Sequence, residues 1–188
     1  DGWAALSNYG WMFRRAPGFF DVVAYTGNGV AGRTVPHNLG VAPEMMIVKS
    51  RSDARAWRVY TSFVGNTGSL RLNSDASADS GVTGYWNNTT PTDASFTLGT
   101  DNDTNASGQT YIAYLFATLA GVSKVGSYTG TGATLNINCG FTTGARFVLI
   151  KRTNAANNWT LFDSARGITV GNDPYLYLNT TAAEVNAA

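Results

Sequence analysis

Two short apolar runs, Met45-Met46-Ile47-Val48-Lys49 and Phe147-Val148-Leu149-Ile150-Lys151, decide the fold of this 188-residue chain. Each is too short for a buried helix and is typical of a strand that is covered on both faces. A tryptophan, Trp57 or Trp159, follows each run. The offset is 102 from Lys49 to Lys151 and again from Trp57 to Trp159. The sequence therefore predicts an internal repeat of roughly 100 residues.

Other stretches extend the repeat in both directions. Tyr25-Thr26-Gly27 matches Tyr128-Thr129-Gly130, and Ser69-Leu70-Arg71-Leu72-Asn73 matches Tyr175-Leu176-Tyr177-Leu178-Asn179. Residues 85–117 have no counterpart in the second copy, while Tyr9-Gly10-Trp11-Met12-Phe13 is a weak echo of residues 111–117. We predict the end of a preceding unit or a linker at 1–18, a complete unit at 19–120 and an incomplete unit at 121–188. The incomplete unit would indicate a piece of a longer polypeptide. One composite domain over 19–188 is the alternative.

Short strands with turn signals between them favour an all-β fold. The turns contain Gly, Asn, Asp and Pro and recur at about 8–12 residues, a spacing that is typical of sandwiches and barrels. No window has a convincing helical stripe. We predict an antiparallel β-sandwich of the jelly-roll or concanavalin-like kind, built from the repeats. The predicted strands are 20–26, 33–37, 45–50, 56–61, 69–73, 83–86, 94–98, 110–117, 123–129, 134–138, 146–152, 158–163 and 175–179.

Composition excludes several classes of protein. With one Cys and one His, the chain can form neither an internal disulfide nor a Cys/His zinc cluster. Its formal net charge is +1, which gives no basic footprint for nucleic acid. It has no apolar run of about 18 residues that would span a bilayer. We expect no cofactor, no nucleic-acid partner and no membrane partner.

Five stretches together resemble a domain of unknown function that recurs, often in tandem, in virion structural and tail-fibre proteins of bacteriophages, many of them marine. The resemblance implies a virion location, at the tail or capsid surface, and a structural or adhesive role, but it brings no catalytic motif. The stretches are Phe19-Phe20-Asp21-Val22-Val23-Ala24-Tyr25-Thr26-Gly27, His37-Asn38-Leu39-Gly40-Val41-Ala42-Pro43, Tyr85-Trp86-Asn87-Asn88-Thr89-Thr90-Pro91, residues 111–117, and Val148-Leu149-Ile150-Lys151-Arg152 with Asn158-Trp159 and Asp163-Ser164-Ala165-Arg166.

A strand-end aromatic pair beside an amide-rich loop offers one ligand site. Sugars stack on aromatic faces and hydrogen-bond to amides and carboxylates at their edges. Trp86, Asn87, Asn88 and Asp93 therefore form a candidate glycan site. A packed loop or a contact between subunits is the competing interpretation.

Asp101, Asp103 and Asn105 resemble the beginning of a calcium loop. The full pattern needs Gly at its sixth position and Glu at its twelfth, where this chain has Ala106 and Ile112. A solvated turn is the simpler interpretation, so we predict no metal site.

Three further groups are interpreted structurally. His37 is expected to hydrogen-bond its own turn. Cys139 stands where the first unit has Leu39, so it is expected to be a small buried apolar residue. Arg51, Arg55 and Arg58 are expected on solvated faces.

We therefore expect a structural module of a phage virion protein, a tail fibre or a related surface appendage, and not an enzyme. Its partners would be other copies of itself, in a homo-oligomer such as a trimer, and other virion proteins. The first alternative is a carbohydrate-binding module that attaches to host surface glycans. The second is a capsid decoration protein.

Overall fold

The computed structural model describes residues 10–168 and 173–186 as an all-β structure of antiparallel sheets. Among these residues, no helix is long and apolar enough to cross a membrane. The elements are β1 (Phe20–Thr26), β2 (Arg33–Pro36), β3 (Met45–Ser50), β4 (Arg58–Thr61), β5 (Leu70–Arg71), β6 (Ser95–Leu98), the helical turn α1 (Asn102–Asn105), β7 (Thr110–Phe116), β8 (Phe147–Ile150), β9 (Thr160–Asp163) and β10 (Leu176–Tyr177). We call residues up to 120 the first half and those from 121 the second half.

The first half is built around a five-stranded sheet of order β1-β7-β3-β4-β5. Strand β3 lies in its middle, because Met46 pairs with Leu115 of β7 on one side and with Tyr60 of β4 on the other. Alternation along β7 turns Tyr111, Ala113 and Leu115 into the core, where all three are fully buried.

A two-stranded ribbon of β2 and β6 and the loop at 83–88 contribute to the same core. The ribbon adds Val35, Phe96 and Leu98, and the loop adds Tyr85 and Trp86. These side chains pack with those of the five-stranded sheet in one cluster, which is the main core of the molecule.

The second half has a three-stranded sheet of order β10-β9-β8. A second apolar cluster joins Val59 and Leu70 of the first sheet to Trp159 and Leu149 of the second half. The Trp159 indole also donates a 2.8 Å hydrogen bond to the Arg71 carbonyl. Because neighbouring side chains in β3 and β4 alternate between the two clusters, both strands are covered on both faces, as the run at 45–48 predicts.

Corresponding strands of the two halves pair in the same register. Met46 pairs with Tyr60, and Val148 pairs with Phe162, each residue displaced by 102. The backbone amide of Trp57 donates to Asn73 Oδ1 at 3.0 Å, and that of Trp159 donates to Asn179 Oδ1 at 2.8 Å. Strands β8, β9 and β10 thus correspond in order to β3, β4 and β5 in the predicted repeat.

The strand predicted at 83–86 is wrong, because this segment is a turn. The Asn87 amide bonds back to the Thr83 carbonyl at 2.9 Å, and Asn87 and Asn88 both have positive φ. Asn tolerates this left-handed conformation better than most residues, so the amide pair ends the turn. The turn lets both neighbours Tyr85 and Trp86 point into the core, which the alternation of a strand forbids.

The strands predicted at 123–129 and 134–138 are also wrong, because both segments are irregular. Their first-half counterparts are β1, which pairs with β7, and β2, which pairs with β6. Strands β6 and β7 come from 85–117, the stretch that has no second copy. A strand without a partner cannot satisfy its backbone hydrogen bonds. These two segments therefore remain irregular although their sequences favour strands.

Candidate functional site

The predicted glycan-stacking residue, Trp86, lies in the main core. It is fully buried, and its indole donates a 2.9 Å hydrogen bond to the Gly68 carbonyl. Tyr60 meets its ring edge-to-face, with 5.7 Å between the ring centroids. A sugar could reach either face of this ring only by displacing core side chains, so the geometry does not support stacking at Trp86.

The other residues of that predicted site lie outside the core. Asn87 is half-buried in the turn, and its carbonyl accepts a 2.9 Å hydrogen bond from the Thr89 hydroxyl. Asn88 and Asp93 are exposed. The structure therefore divides the four residues between the core and the surface and does not bring them together around the Trp86 ring.

His37 has the structural role that the sequence predicts. Its Nδ1 accepts the Leu39 amide, and its Nε2 lies 3.2 Å from the Thr92 carbonyl. The two bonds fix the tautomer with the proton on Nε2. Burial lowers the pKa of His37 and outweighs the opposing effects of Thr92, Asp21 and Asp93. A neutral imidazole therefore holds this turn.

The candidate calcium ligands are used by the fold. Asp101 caps α1 by accepting the Asp103 amide at 2.8 Å, and Asp103 accepts the Arg58 guanidinium at 2.8 Å. Asn105 is fully buried, and it accepts the Asn28 amide and donates to the Gly99 carbonyl. Within 10–168 and 173–186, no group of three or more His, Cys, Asp or Glu residues could hold a metal ion.

Arg58 was predicted on a solvated face, but the structure buries it in a cluster of ion pairs. Asp79 accepts hydrogen bonds from Arg58, Arg71 and Tyr85, and the Arg58 guanidinium lies 4.0 Å from the centroid of the Tyr85 ring. Burial acts to lower the pKa of Arg58, but its bonds to Asp103 and Asp79 raise it overall. The signal for burial was that Arg58 shares a strand face with Tyr60. The cluster ties β4 and β5 to the turns at 79 and 103.

The clearest difference between the halves lies at β8. Its counterpart β3 is flanked by β7 and β4, whereas β9 is the one strand of the described residues that pairs with β8. Met46 and Val48 of β3 are fully buried, but their counterparts Val148 and Ile150 are only half-buried. The prediction that the run at 147–150 is covered on both faces is therefore wrong for this pair. We call residues 147–152, on the side away from β9, the β8 edge.

Apolar side chains that are buried in the first half are exposed in the second. Tyr25 is 9% exposed and its counterpart Tyr128 is 52% exposed, while Val35 is 2% exposed and Leu135 is 42% exposed. Cys139 is half-buried, although its counterpart Leu39 is fully buried. The repeat pattern did not predict this exposed surface, and the signal for it was that residues 121–188 contain no stretch that matches residues 85–117.

The end of the β8 edge meets the N-terminal segment. Phe13 packs perpendicular to Phe147 with 5.5 Å between ring centroids, and the Trp11 indole donates to Asp163 at 3.0 Å. Burial acts to raise the pKa of Asp163, but hydrogen bonds from the Arg166 amide and Trp11 and the charge of Arg166 lower it overall. Trp11 is thus held at the second half.

These features describe an antiparallel all-β protein whose second half leaves a strand edge and apolar side chains open. Residues 15–188 match a family described as a domain of unknown function, DUF7483. The chain therefore belongs to that family. No curated protein and no solved structure matches it.

Proposed function

We propose that this chain is a structural module of a phage virion protein, in a tail fibre or a related surface appendage, that acts by contact with neighbouring units. The resemblance of its sequence stretches to phage virion domains supports the virion location. The single observation that carries the assembly role is the β8 edge, which has the register of a central strand and the surroundings of an edge strand.

The proposal includes a β-sandwich of repeated units of roughly 100 residues. The shared register supports it, and so does a turn that occurs in both halves. The Ala16 amide bonds to the Phe20 carbonyl at 3.0 Å, and the Leu119 amide bonds to the Ser123 carbonyl at 3.2 Å. Positive-φ glycines also recur at matched positions: Gly18 and Gly121, Gly29 and Gly132, Gly40 and Gly140, and Gly65 and Gly167.

An open strand edge favours assembly for a physical reason. Unpaired backbone N–H and C=O groups form a template for another strand, and natural proteins usually block such edges. In repeat proteins, each unit buries its apolar faces against its neighbours. The half-buried Val148 and Ile150 are the side chains that such a neighbour would cover.

Two measurements test the proposal. Immunogold electron microscopy with antibodies against the purified chain should label the tails of intact phage particles. Label on the capsid instead would support the decoration alternative, and unlabelled particles would overturn the virion role. Light scattering from micromolar to millimolar concentration should show association of copies through surfaces other than the β8 edge, and a strict monomer throughout would contradict self-assembly.

A further inference from the structure

We infer that the β8 edge receives an antiparallel strand with the chemistry of β7, supplied by a neighbouring polypeptide unit that carries a segment equivalent to residues 83–120. This inference rests on the repeat in the proposed function and names the partner of the open sheet. The first half contains the same site in its occupied form, which allows the donor to be described residue by residue.

The occupied form is β3 between β4 and β7. On its β4 side, the Ser62 amide bonds to the Glu44 carbonyl at 2.9 Å, and the Ser164 amide bonds to the Arg146 carbonyl at the same distance. On its β7 side, the Glu44 amide bonds to the Phe116 carbonyl at 2.9 Å. On the side that faces β9, β8 is thus paired as β3 is paired with β4. On its other side, no strand of the described residues pairs with it.

The side chains along the β8 edge specify the donor. In the first half, Leu115 of β7 pairs with Met46, and Ala113 pairs with Val48. Val148 and Ile150 replace Met46 and Val48, so the donor needs a large aliphatic residue opposite Val148 and a small one opposite Ile150. Both contacts would bury apolar surface that is now half-exposed, which is the main source of affinity.

Charge at the end of the strand sets a further condition. The Glu44 carboxylate accepts the Thr118 amide at 2.6 Å, directly after β7. Its counterpart is the exposed Arg146, whose side chain can donate hydrogen bonds but not accept them. The donor for the second half should therefore present an acceptor, a carbonyl or a carboxylate, where the first half presents an amide.

Other occupants fit less well. A second folded copy cannot donate β7, because β7 is already paired with β1 and β3 on its two edges. The chain's own Phe13 touches Phe147, but residues 10–13 form no strand. Phe13 covers one end of the edge and leaves the pairs opposite Val148 and Ile150 open.

A chain extended by a copy of residues 83–120 tests the inference. Leu72 and Asn73 match Leu178 and Asn179 with an offset of 106, so Ala188 matches Val82 and the copy continues the alignment directly. Hydrogen exchange should become about 100-fold slower at the β8 amides that face the open edge. The matched control carries Tyr111→Asp, Ala113→Asp and Leu115→Asp in the appended copy only, and it should leave β8 exchange unchanged.

Four outcomes would overturn the inference. The extension could leave β8 exchange unchanged, or the control could slow it equally. If exchange at β8 in the unextended chain becomes slower as the protein concentration rises, the edge would be assigned to a second copy. Slow exchange that is lost on removing residues 1–14 would assign it to the N-terminal segment. Since immunogold labelling reads out the virion role separately, failure here would leave that role unaffected.

Discussion

The two halves of the molecule share a strand arrangement but differ in what covers it. Strands β3-β4-β5 and β8-β9-β10 pair in the same order, and the first two strands of each set pair in the same register. Yet β3 lies inside a five-stranded sheet over the main core, whereas β8 lies at an edge with half-buried side chains. In the first half, the strand that covers the other side of β3 is β7, which comes from residues 85–117.

The two matched tryptophans show the same separation. Trp57 and Trp159 make equivalent backbone hydrogen bonds, to Asn73 and Asn179. The Trp159 side chain is only 3% exposed because it packs between the sheets, whereas that of Trp57 is half-buried. Equivalent positions in the sequence therefore have unequal energetic roles.

Replacing these tryptophans should give the largest contrast between matched positions. Trp159→Ala should lower the free energy of unfolding by about 3–5 kcal/mol, because it opens a cavity between the sheets and removes one of the two hydrogen bonds that the Arg71 carbonyl accepts. Trp57→Ala should lower it by less than about 2 kcal/mol, since a half-exposed ring buries less apolar area. Urea unfolding followed by far-ultraviolet circular dichroism measures both, and equal losses would contradict the difference in environment.

A second contrast compares β3 directly with its counterpart β8. Met46→Ala should cost about 2–5 kcal/mol, as expected for a fully buried side chain in the main core. Val148→Ala should cost less than about 1 kcal/mol, because the Val148 side chain is only half-buried. Thermal and urea unfolding of each variant give the comparison. A loss at Val148 as large as that at Met46 would mean that β8 is covered in solution.

Acid should weaken both halves, each through one buried carboxylate. Burial acts to raise the pKa of Asp21, but the amides of Asn38 and Val22 and the Arg15 guanidinium lower it overall, and the pKa of Asp163 is likewise lowered. A lowered folded-state pKa stabilises the protein above the unfolded value of 3.8, and this stabilisation is lost as the pH falls through the folded value.

The test compares Asp21→Asn with Asp163→Asn from pH 7 to pH 2. Each variant should lose about 1–3 kcal/mol at pH 7, because an amide cannot accept all the hydrogen bonds of the carboxylate. Each should also unfold with a weaker dependence on pH below 5 than the unmodified chain. Exposed Asp93→Asn is the control and should change neither property. Unaltered pH dependence in both buried variants would contradict the assigned pKa directions.

Periodicity and turn signals predicted most of the sheet, including β1 and β3 to the residue. The misses arise because the sequence pattern reports what a segment prefers and not which partners the fold brings to it. Residues 123–138 have strand character but lack β6 and β7 equivalents, and Tyr85-Trp86 forms a turn because both rings are needed in the core. The buried Arg58 cluster was missed because its acids, Asp79 and Asp103, are distant in sequence. The one sequence signal for the β8 edge was that residues 121–188 contain no stretch that matches residues 85–117.

The smallest effect is expected at Tyr128, which is exposed in this chain although its counterpart Tyr25 is buried and donates its hydroxyl to the Thr104 carbonyl. Tyr128→Gln should change the free energy of unfolding by no more than about 0.5 kcal/mol, since an exposed ring gains little from folding. In the chain extended by residues 83–120, the same substitution should cost at least about 1 kcal/mol, because the appended segment would bury the ring as residues 83–120 bury Tyr25. Urea unfolding of the two pairs gives the difference directly. An equal effect in both backgrounds would show that the added segment does not rebuild the first half's core in the second.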